Sequence, residues 1–293
     1  MNIYDCFMYF DEDLLLDLRL NTLNKFVKKF IIVESKFLHS GKGKKLNFKI
    51  DNFSKFKDKI TYIVVDDVPE GLFKLSNKDN LETRNKKILG NSLLRENHQR
   101  NEINRGLMEA DDESLILISD LDEIPNIEKF SYSKKISLFE QDVYYYKFNL
   151  RQPNFKWLGT RACKKKDLVS PQWLRNIKGK VYPFWRIDTV FSNKKYSNVK
   201  IINNGGWHYT SIKKPEDIFY KFSNYLHHLE FEESNLTLKE IEKIIKEKRI
   251  IYDHSISKRG KKHSATKYLE KIKNESLPKH IKENFDKFKE WLD

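Results

Sequence analysis

Three carboxylates, Asp120, Asp122 and Glu123, stand at the end of the segment LILISDLDEIP, residues 115–125. They follow an apolar run, Leu115 to Ile118, of the kind that fills a buried strand. Like charges gathered at the mouth of such a strand repel, so a counter-charge is required there. Asp120 and Asp122 are two positions apart, which in an extended segment turns both side chains to the same side. That spacing suits one hard divalent cation shared with a diphosphate. The alternative is a turn with a helix cap. Asp11 and Asp13 repeat the spacing, and there the acids serve the N-terminus of a helix. Context separates the two pairs, because only Asp120 and Asp122 end a continuous apolar strand, and ligands of open α/β sheets bind beyond the carboxyl ends of the strands.

A second candidate segment is NNGGWHY, residues 203–209. Gly205 and Gly206 let the backbone approach a neighbour closely. His208 follows, and an imidazole added to carboxylates favours Mn²⁺ over Mg²⁺, which keeps mainly to oxygen donors. Trp207 reads either as a core residue or as a platform for a sugar face. Two arginines add an independent clue. At about 100° per residue, Arg19 projects between Leu15 and Leu23, and Arg100 between Leu93 and Leu107 with Glu96 one turn earlier. A charge on an apolar stripe must be paired. For Arg100 one reading is an ion pair with Glu96 at four-residue spacing. The other, open for both arginines, is a side chain that faces a cleft and meets phosphate or ribose oxygens.

These residues need elements to hold them. Ile3 to Phe10, Phe30 to Val33, Ile60 to Val65 and Leu115 to Ile118 read as strands, with helices over Asp11 to Asn24 and Ser92 to Ala110. Continuous apolar strands separated by helices predict an α/β fold whose mostly parallel sheet is covered on both faces. After Pro125 the pattern becomes mixed. DVYYYKFNL and VKIINN read as strands, joined by a long stretch rich in Lys, Trp and Pro between Gln152 and Pro183. Beyond about residue 232 the chain reads as basic amphipathic helices, one opened by a capping box at Thr237 and Glu240. The division expected is a first part over about 1–125, a second over about 126–232 and a C-terminal helical extension over 233–293.

The bulk numbers set bounds. A chain of 293 residues has ample core for one large domain. Two cysteines, Cys6 and Cys163, make neither a disulfide framework nor a thiolate metal cluster. No apolar run reaches the roughly 18 residues that span a bilayer, and no basic region precedes an apolar one at the start. The expectation is an unexported, cytoplasmic protein. A formal net charge of +14 points to an anionic partner, although lysines spread along the chain also serve solubility alone. The basic helices are the candidate surface for peripheral association with a membrane.

Taken in order, IYDCFMYFDEDLLLDLRLNTL, FIIVES, ENHQRNEINRGL, SDLDEIP and GGWHYTSIKKPEDIFYKF resemble glycosyltransferase family seventeen, over roughly residues 3–230. The resemblance implies a GT-A-type Rossmann-like fold over 1–232, a nucleotide-sugar donor and a divalent metal, Mn²⁺ or Mg²⁺, held by Asp120 and Asp122 with His208 nearby. The family's best-known member moves N-acetylglucosamine from its uridine diphosphate ester, with inversion at the anomeric carbon. By the same similarity Asp5, Arg19, Glu34, Glu96, Arg100, Asn101, Asp120 and Trp207 belong to the donor side. Inversion needs a carboxylate that takes the acceptor's proton. Glu230 in HHLEF is the leading candidate, followed by Asp217, with Glu216 beside it, and by Asp188. The acceptor expected is a glycan or a lipid-linked sugar rather than a glycoprotein.

Two other classes compete. A metal-dependent nucleotidyltransferase or phosphoesterase joins the same carboxylates to a metal and a phosphate. A basic nucleic-acid-binding protein accounts for the charge and the aromatic residues, but not for carboxylates clustered at a strand end. No specific nucleic acid partner is therefore expected.

Overall fold

The computed structural model describes residues 1–128, 130–183, 185–189, 191–224, 231, 234–256, 263 and 266–293. Four strands, β1 (Ile3–Met8), β2 (Lys29–Ser35), β3 (Ile60–Val65) and β4 (Leu115–Asp120), run parallel in the order β3-β2-β1-β4. Successive side chains enter opposite layers: Leu115 and Leu117 join one buried cluster, Ile116 and Ile118 the other. With both faces covered, most positions are apolar, which is why these strands read as near-continuous runs.

Helix α1 (Asp13–Leu23) covers the first face, its Leu15, Leu16, Leu18, Leu20 and Leu23 all buried. The second face is covered in part by a helix in two pieces, α2 (Leu81–Asn101) and α3 (Ile103–Gly106), rather than by the single helix expected over Ser92 to Ala110. Asn80 opens α2 by accepting a hydrogen bond from the Thr83 amide at 2.8 Å. Leu93, expected on the apolar stripe, is 41% exposed, whereas Gln99 and Arg100 are buried. The break at Glu102 shifts the phase of the helix, so a stripe extrapolated from Leu93 to Leu107 does not exist.

Among the described residues the remaining strands are β5 (Glu123–Pro125), β6 (Ile136–Tyr145), β7 (Leu150–Lys164), β8 (Val199–Ile202), β9 (Gly206–Thr210) and β10 (Glu270–Lys271). They complete one ten-stranded sheet, mostly parallel overall but mixed in this half. β7 is antiparallel to both β4 and β6, while β9 lies parallel to β6 and antiparallel to β5. β7 occupies much of the stretch read from sequence as a connection. Two register shifts against β6 interrupt its alternation, and Pro153 lies within it. The short helix α4 (Pro171–Asn176) follows, opened by Ser170, whose hydroxyl accepts from the Trp173 amide at 3.0 Å, with Pro171 at its first position.

Helices α5 (Pro215–Asn224) and α6 (Leu238–Lys246) come next, and α6 carries the expected capping box between Thr237 and Glu240. The region after residue 232, expected as a helical extension, also returns to the body of the protein. Strand β10 pairs with β7, and Ile281 of α7 (Lys279–Glu283) and Phe288 of α8 (Phe285–Phe288) join the same buried cluster as the leucines of α1. Basic composition concealed these few apolar anchors. No described helix is long and apolar enough to cross a membrane.

Candidate active site

A cavity of about 300 Å³ opens beyond the carboxyl ends of β1 and β4. Its lining combines apolar groups, among them Phe10, Phe37 and Tyr252, with the carboxylates Asp120 and Asp122 and the imidazole of His208. This is where a parallel sheet presents loops and strand ends to a ligand.

Asp120 is the last residue of β4, and its side chain, 40% exposed, faces the cavity. Arg175 Nη2 donates to its Oδ2 at 2.7 Å and Arg100 Nη2 to its Oδ1 at 3.1 Å. Burial works against ionisation, but Arg175 and then Arg100 outweigh it and hold this carboxyl well below the ordinary range. Asp122 lies in the turn between β4 and β5. Burial pushes its carboxyl up, and His208 more than reverses this, leaving it below its ordinary value. Burial in turn favours the neutral His208 ring, yet Asp122 raises its proton affinity above the ordinary value. The two side chains stand 3.7 Å apart, Nε2 to Oδ2. Strand pairing sets this distance: Glu123 is opposite His208 in the β5–β9 ladder, and the Tyr209 amide donates to the Asp122 carbonyl at 2.8 Å.

Glu123 does not share the cavity as an open ligand. Arg175 grips both its oxygens at 2.6 and 2.7 Å, Trp157 Nε1 donates to Oε1 at 2.6 Å, and the Asp120 amide donates to Oε2 at 3.0 Å. Part of the charge that a metal was expected to cancel is thus cancelled by arginine. Gly159 makes room for this arrangement, since a Cβ there would lie 2.0 Å from Gln141 Oε1 and 3.0 Å from Glu123 Cδ. Arg175 was invisible in the sequence because α4 is too short to show a periodic stripe; the Ser-Pro start at 170–171 was the only local signal.

Arg19 stands behind the carboxylates instead of facing the cavity. It is fully buried, pairs with Asp5 through Nε at 2.8 Å and Nη2 at 2.6 Å, and donates from Nη1 to the carbonyls of Asp120, Leu121 and Glu123 at 2.9, 3.0 and 3.1 Å. One guanidinium thereby fixes the turn that carries Asp120 and Asp122. Glu34 is also fully buried. It pairs with Lys44, accepts from the amides of Asn47 and Phe48 at 2.8 and 3.1 Å, and accepts from the Tyr62 hydroxyl at 2.8 Å, which pins the glycine-containing loop after β2.

The sequence model of glycosyltransferase family 17 matches residues 1–292. The chain belongs to glycosyltransferase family 17. No curated protein matches it. As a family 17 glycosyltransferase it takes a sugar donor and a glycan acceptor, and the match reaches well past residue 230 into the C-terminal part that completes the sheet.

In this glycosyltransferase Glu96 lines the cavity and pairs with Arg100 at 2.7 Å, the four-residue ion pair read from sequence, and Arg100 also bonds Gln172. Asn101 accepts from the Gln172 amide at 3.0 Å, tying α2 to α4. Trp207 is turned to a second groove, beside Asp142, Tyr144 and Arg151, because β9 alternates and His208 takes the cavity side. The tryptophan that lines the cavity is Trp157, 5.6 Å from the His208 ring. Gly206, at φ +127°, admits the β5 backbone, since a Cβ would meet the Ile124 carbonyl at 2.1 Å. Asp188 is bound to Arg186 and Lys195 at 2.7 and 2.9 Å, and Asp217 is exposed in the first turn of α5; neither lines the cavity. Glu230 lies outside the described residues. His254 and Tyr252, from the C-terminal part, line the cavity and carried no signal in the sequence.

Among the described residues no group of three His, Cys, Asp or Glu side chains is arranged to enclose a metal ion. The donor chemistry nonetheless fits one that completes its shell with phosphate. Asp122 and His208 present oxygen and nitrogen donors 3.7 Å apart on one wall, with half-open Asp120 on the same cavity. A cation of the Mg²⁺ or Mn²⁺ type commonly takes only one or two carboxylates and draws the rest from substrate and water.

Proposed function

We propose that this glycosyltransferase transfers N-acetylglucosamine from its uridine diphosphate ester to a hydroxyl of a glycan or lipid-linked sugar, with inversion and with Mn²⁺ or Mg²⁺ bound. The observation that carries the reading is the presence of Asp120, Asp122 and His208 on one cavity at the carboxyl ends of parallel strands. The strand order β3-β2-β1-β4 is that of a doubly wound nucleotide-binding half, which supports a GT-A-type arrangement.

Asp122 and His208 would hold the metal, and Asp120 would assist. The ion would supply Lewis-acid stabilisation of the charge that gathers on the departing diphosphate. Arg100 and Arg175 orient Asp120 from behind, and Arg19 fixes the turn on which both acids ride. The apolar wall formed by Phe37, Tyr145 and Phe222 excludes water from the donor sugar, which limits hydrolysis.

The test is a panel of nucleotide sugars incubated with Mn²⁺ and purified protein. Release of uridine diphosphate together with a glycosylated acceptor is the expected result. Pyrophosphate or nucleoside monophosphate as the product would move the assignment to the nucleotidyltransferase or phosphoesterase class. Manganese-independent binding to random DNA that falls steeply with salt, without turnover, would leave only a nucleic-acid-binding role.

A further inference from the structure

We infer that Glu12 is the carboxylate that takes the proton from the acceptor hydroxyl; the inference rests on the transfer reading above. The described carboxylates that line the cavity are Glu12, Glu96, Asp120, Asp122 and Glu123. Glu96 is held by Arg100 at 2.7 Å, and Asp120 and Glu123 by Arg175 at 2.7 and 2.6 Å. Asp122 faces His208 on the metal wall. Glu12 differs from all of these. Its side chain is only 11% exposed, and its cationic neighbour, Lys221 Nζ, stands 3.9 Å from Oε1, outside hydrogen-bond reach. Its Oε2 accepts from the Asp11 amide at 3.1 Å, which leaves Oε1 directed at no donor among the described residues. An enclosed carboxylate ordinarily takes a hydrogen-bonded cation, because burying a charge without one is costly. An oxygen left open on a substrate cavity is instead able to bond a substrate hydroxyl.

Its position in the fold agrees. Glu12 immediately precedes α1, which packs on the first face of the sheet, whereas Arg175 belongs to α4, whose Leu174 packs in the second layer. Glu12 and the arginine-held Asp120 therefore approach the cavity from opposite faces of the sheet. Inversion needs the proton acceptor on one side of the sugar ring and the leaving group on the other, and a donor lying between these two carboxylates meets that condition. The bonds balance as follows: the acceptor O–H breaks and its proton goes to Glu12 Oε1, the acceptor oxygen bonds the anomeric carbon, and the anomeric carbon–phosphate oxygen bond breaks with its electron pair leaving on uridine diphosphate. The adjacent Asp11, paired with Lys213, already tethers this loop to the segment before α5, so a tether alone does not account for Glu12.

The experiment compares wild type, Glu12→Gln, Glu230→Gln and Asp11→Asn, with UDP-N-acetylglucosamine, Mn²⁺ and a set of methyl glycosides as acceptor probes. Glu12→Gln is expected to lower acceptor-dependent release of uridine diphosphate by about 10²- to 10⁴-fold and to remove the acidic limb of the kcat/KM profile. Heat stabilisation by Mn²⁺ with the donor should be retained. Azide, which needs no proton removed, should restore nucleotide release and yield the inverted glycosyl azide. Wild-type turnover in Glu12→Gln, an equal loss in Asp11→Asn, or a loss confined to Glu230→Gln would each overturn the assignment while leaving the transferase intact. If the wild type used no nucleotide sugar at all, the inference would fall together with the transfer reading.

Discussion

The turn from Asp120 to Glu123 has two sides built from the same chemistry and put to different ends. On its inner side Arg19 and Asp5 are both fully buried, and the hydrogen bonds of the guanidinium go to a carboxylate, a hydroxyl and backbone carbonyls of the protein. On its outer side Arg100 and Arg175 meet Asp120, which keeps 40% of its surface open, and Asp122 meets His208 across 3.7 Å. A carboxylate paired to completion inside the protein fixes a shape. A carboxylate paired on one flank and open on the other can still bind something. The same residue types therefore carry structural and chemical roles within a few ångströms, and the difference lies in which valences the fold leaves unused.

Substitutions that treat the two sides alike should separate them. The largest effect expected is Arg19→Ala, which strands a buried Asp5 and three carbonyls. A loss of about 3–5 kcal/mol, read as the shift in a urea transition, is the expected outcome, and a loss below about 1 kcal/mol would show that the inner side does not set the turn. Next is Asp122→Ala on the outer side. Transfer should fall by at least about 100-fold, as for disturbed metal sites, while unfolding moves by about 1 kcal/mol or less. A large loss of stability there would erase the distinction between the sides.

Arg175→Ala tests the boundary, because this guanidinium serves buried Glu123 and open Asp120 together. It should cost about 2 kcal/mol and also weaken metal-dependent donor binding, measured by titration calorimetry; a change in only one of the two would assign Arg175 wholly to one side. The smallest effect belongs to a surface pair remote from the turn. Asp17, pulled below its ordinary value chiefly by hydrogen bonds from His280 and Lys287 that outweigh partial burial, ties α1 to the C-terminal helices. A carboxyl depressed on folding adds stability above its unfolded value of about 3.9, and that share is lost as pH falls through the lower folded value. The difference in unfolding free energy between pH 6 and pH 3, measured by urea titration, should shrink by under about 1 kcal/mol in Asp17→Asn, and an unchanged difference would remove the pair from the account.

Much of the first half of the molecule was legible. β3 falls at the residues read from sequence, β1, β2 and β4 lie within a few residues of them, and the Glu96–Arg100 pair follows from helix spacing. The acids at the end of β4 stood out because nothing apolar could replace them there. The mixed half was less readable. Trp207 read equally as a core residue or a platform for a sugar; strand alternation gives the cavity side to His208 and turns Trp207 to the second groove, while Trp157, which no motif marked, lines the cavity. The reading of Gly205 and Gly206 as a point of close approach was sound, although what approaches Gly206 is the backbone of β5. The helices after residue 232 were visible as periodicity, but not the return of Ile281 and Phe288 to the core.

By itself the sequence determined the parallel strands, the helix starts, the carboxylates at a strand mouth and the resemblance to a family. Each is written in residues a few positions apart, where burial of a face or satisfaction of a helix end leaves a local pattern. Only the tertiary structure decided that Arg175 neutralises Glu123 across 52 positions and that Arg19 holds carbonyls more than 100 positions away. Charges choose partners by distance in space and by the shortage of water between them, and neither quantity exists until the sheet has closed.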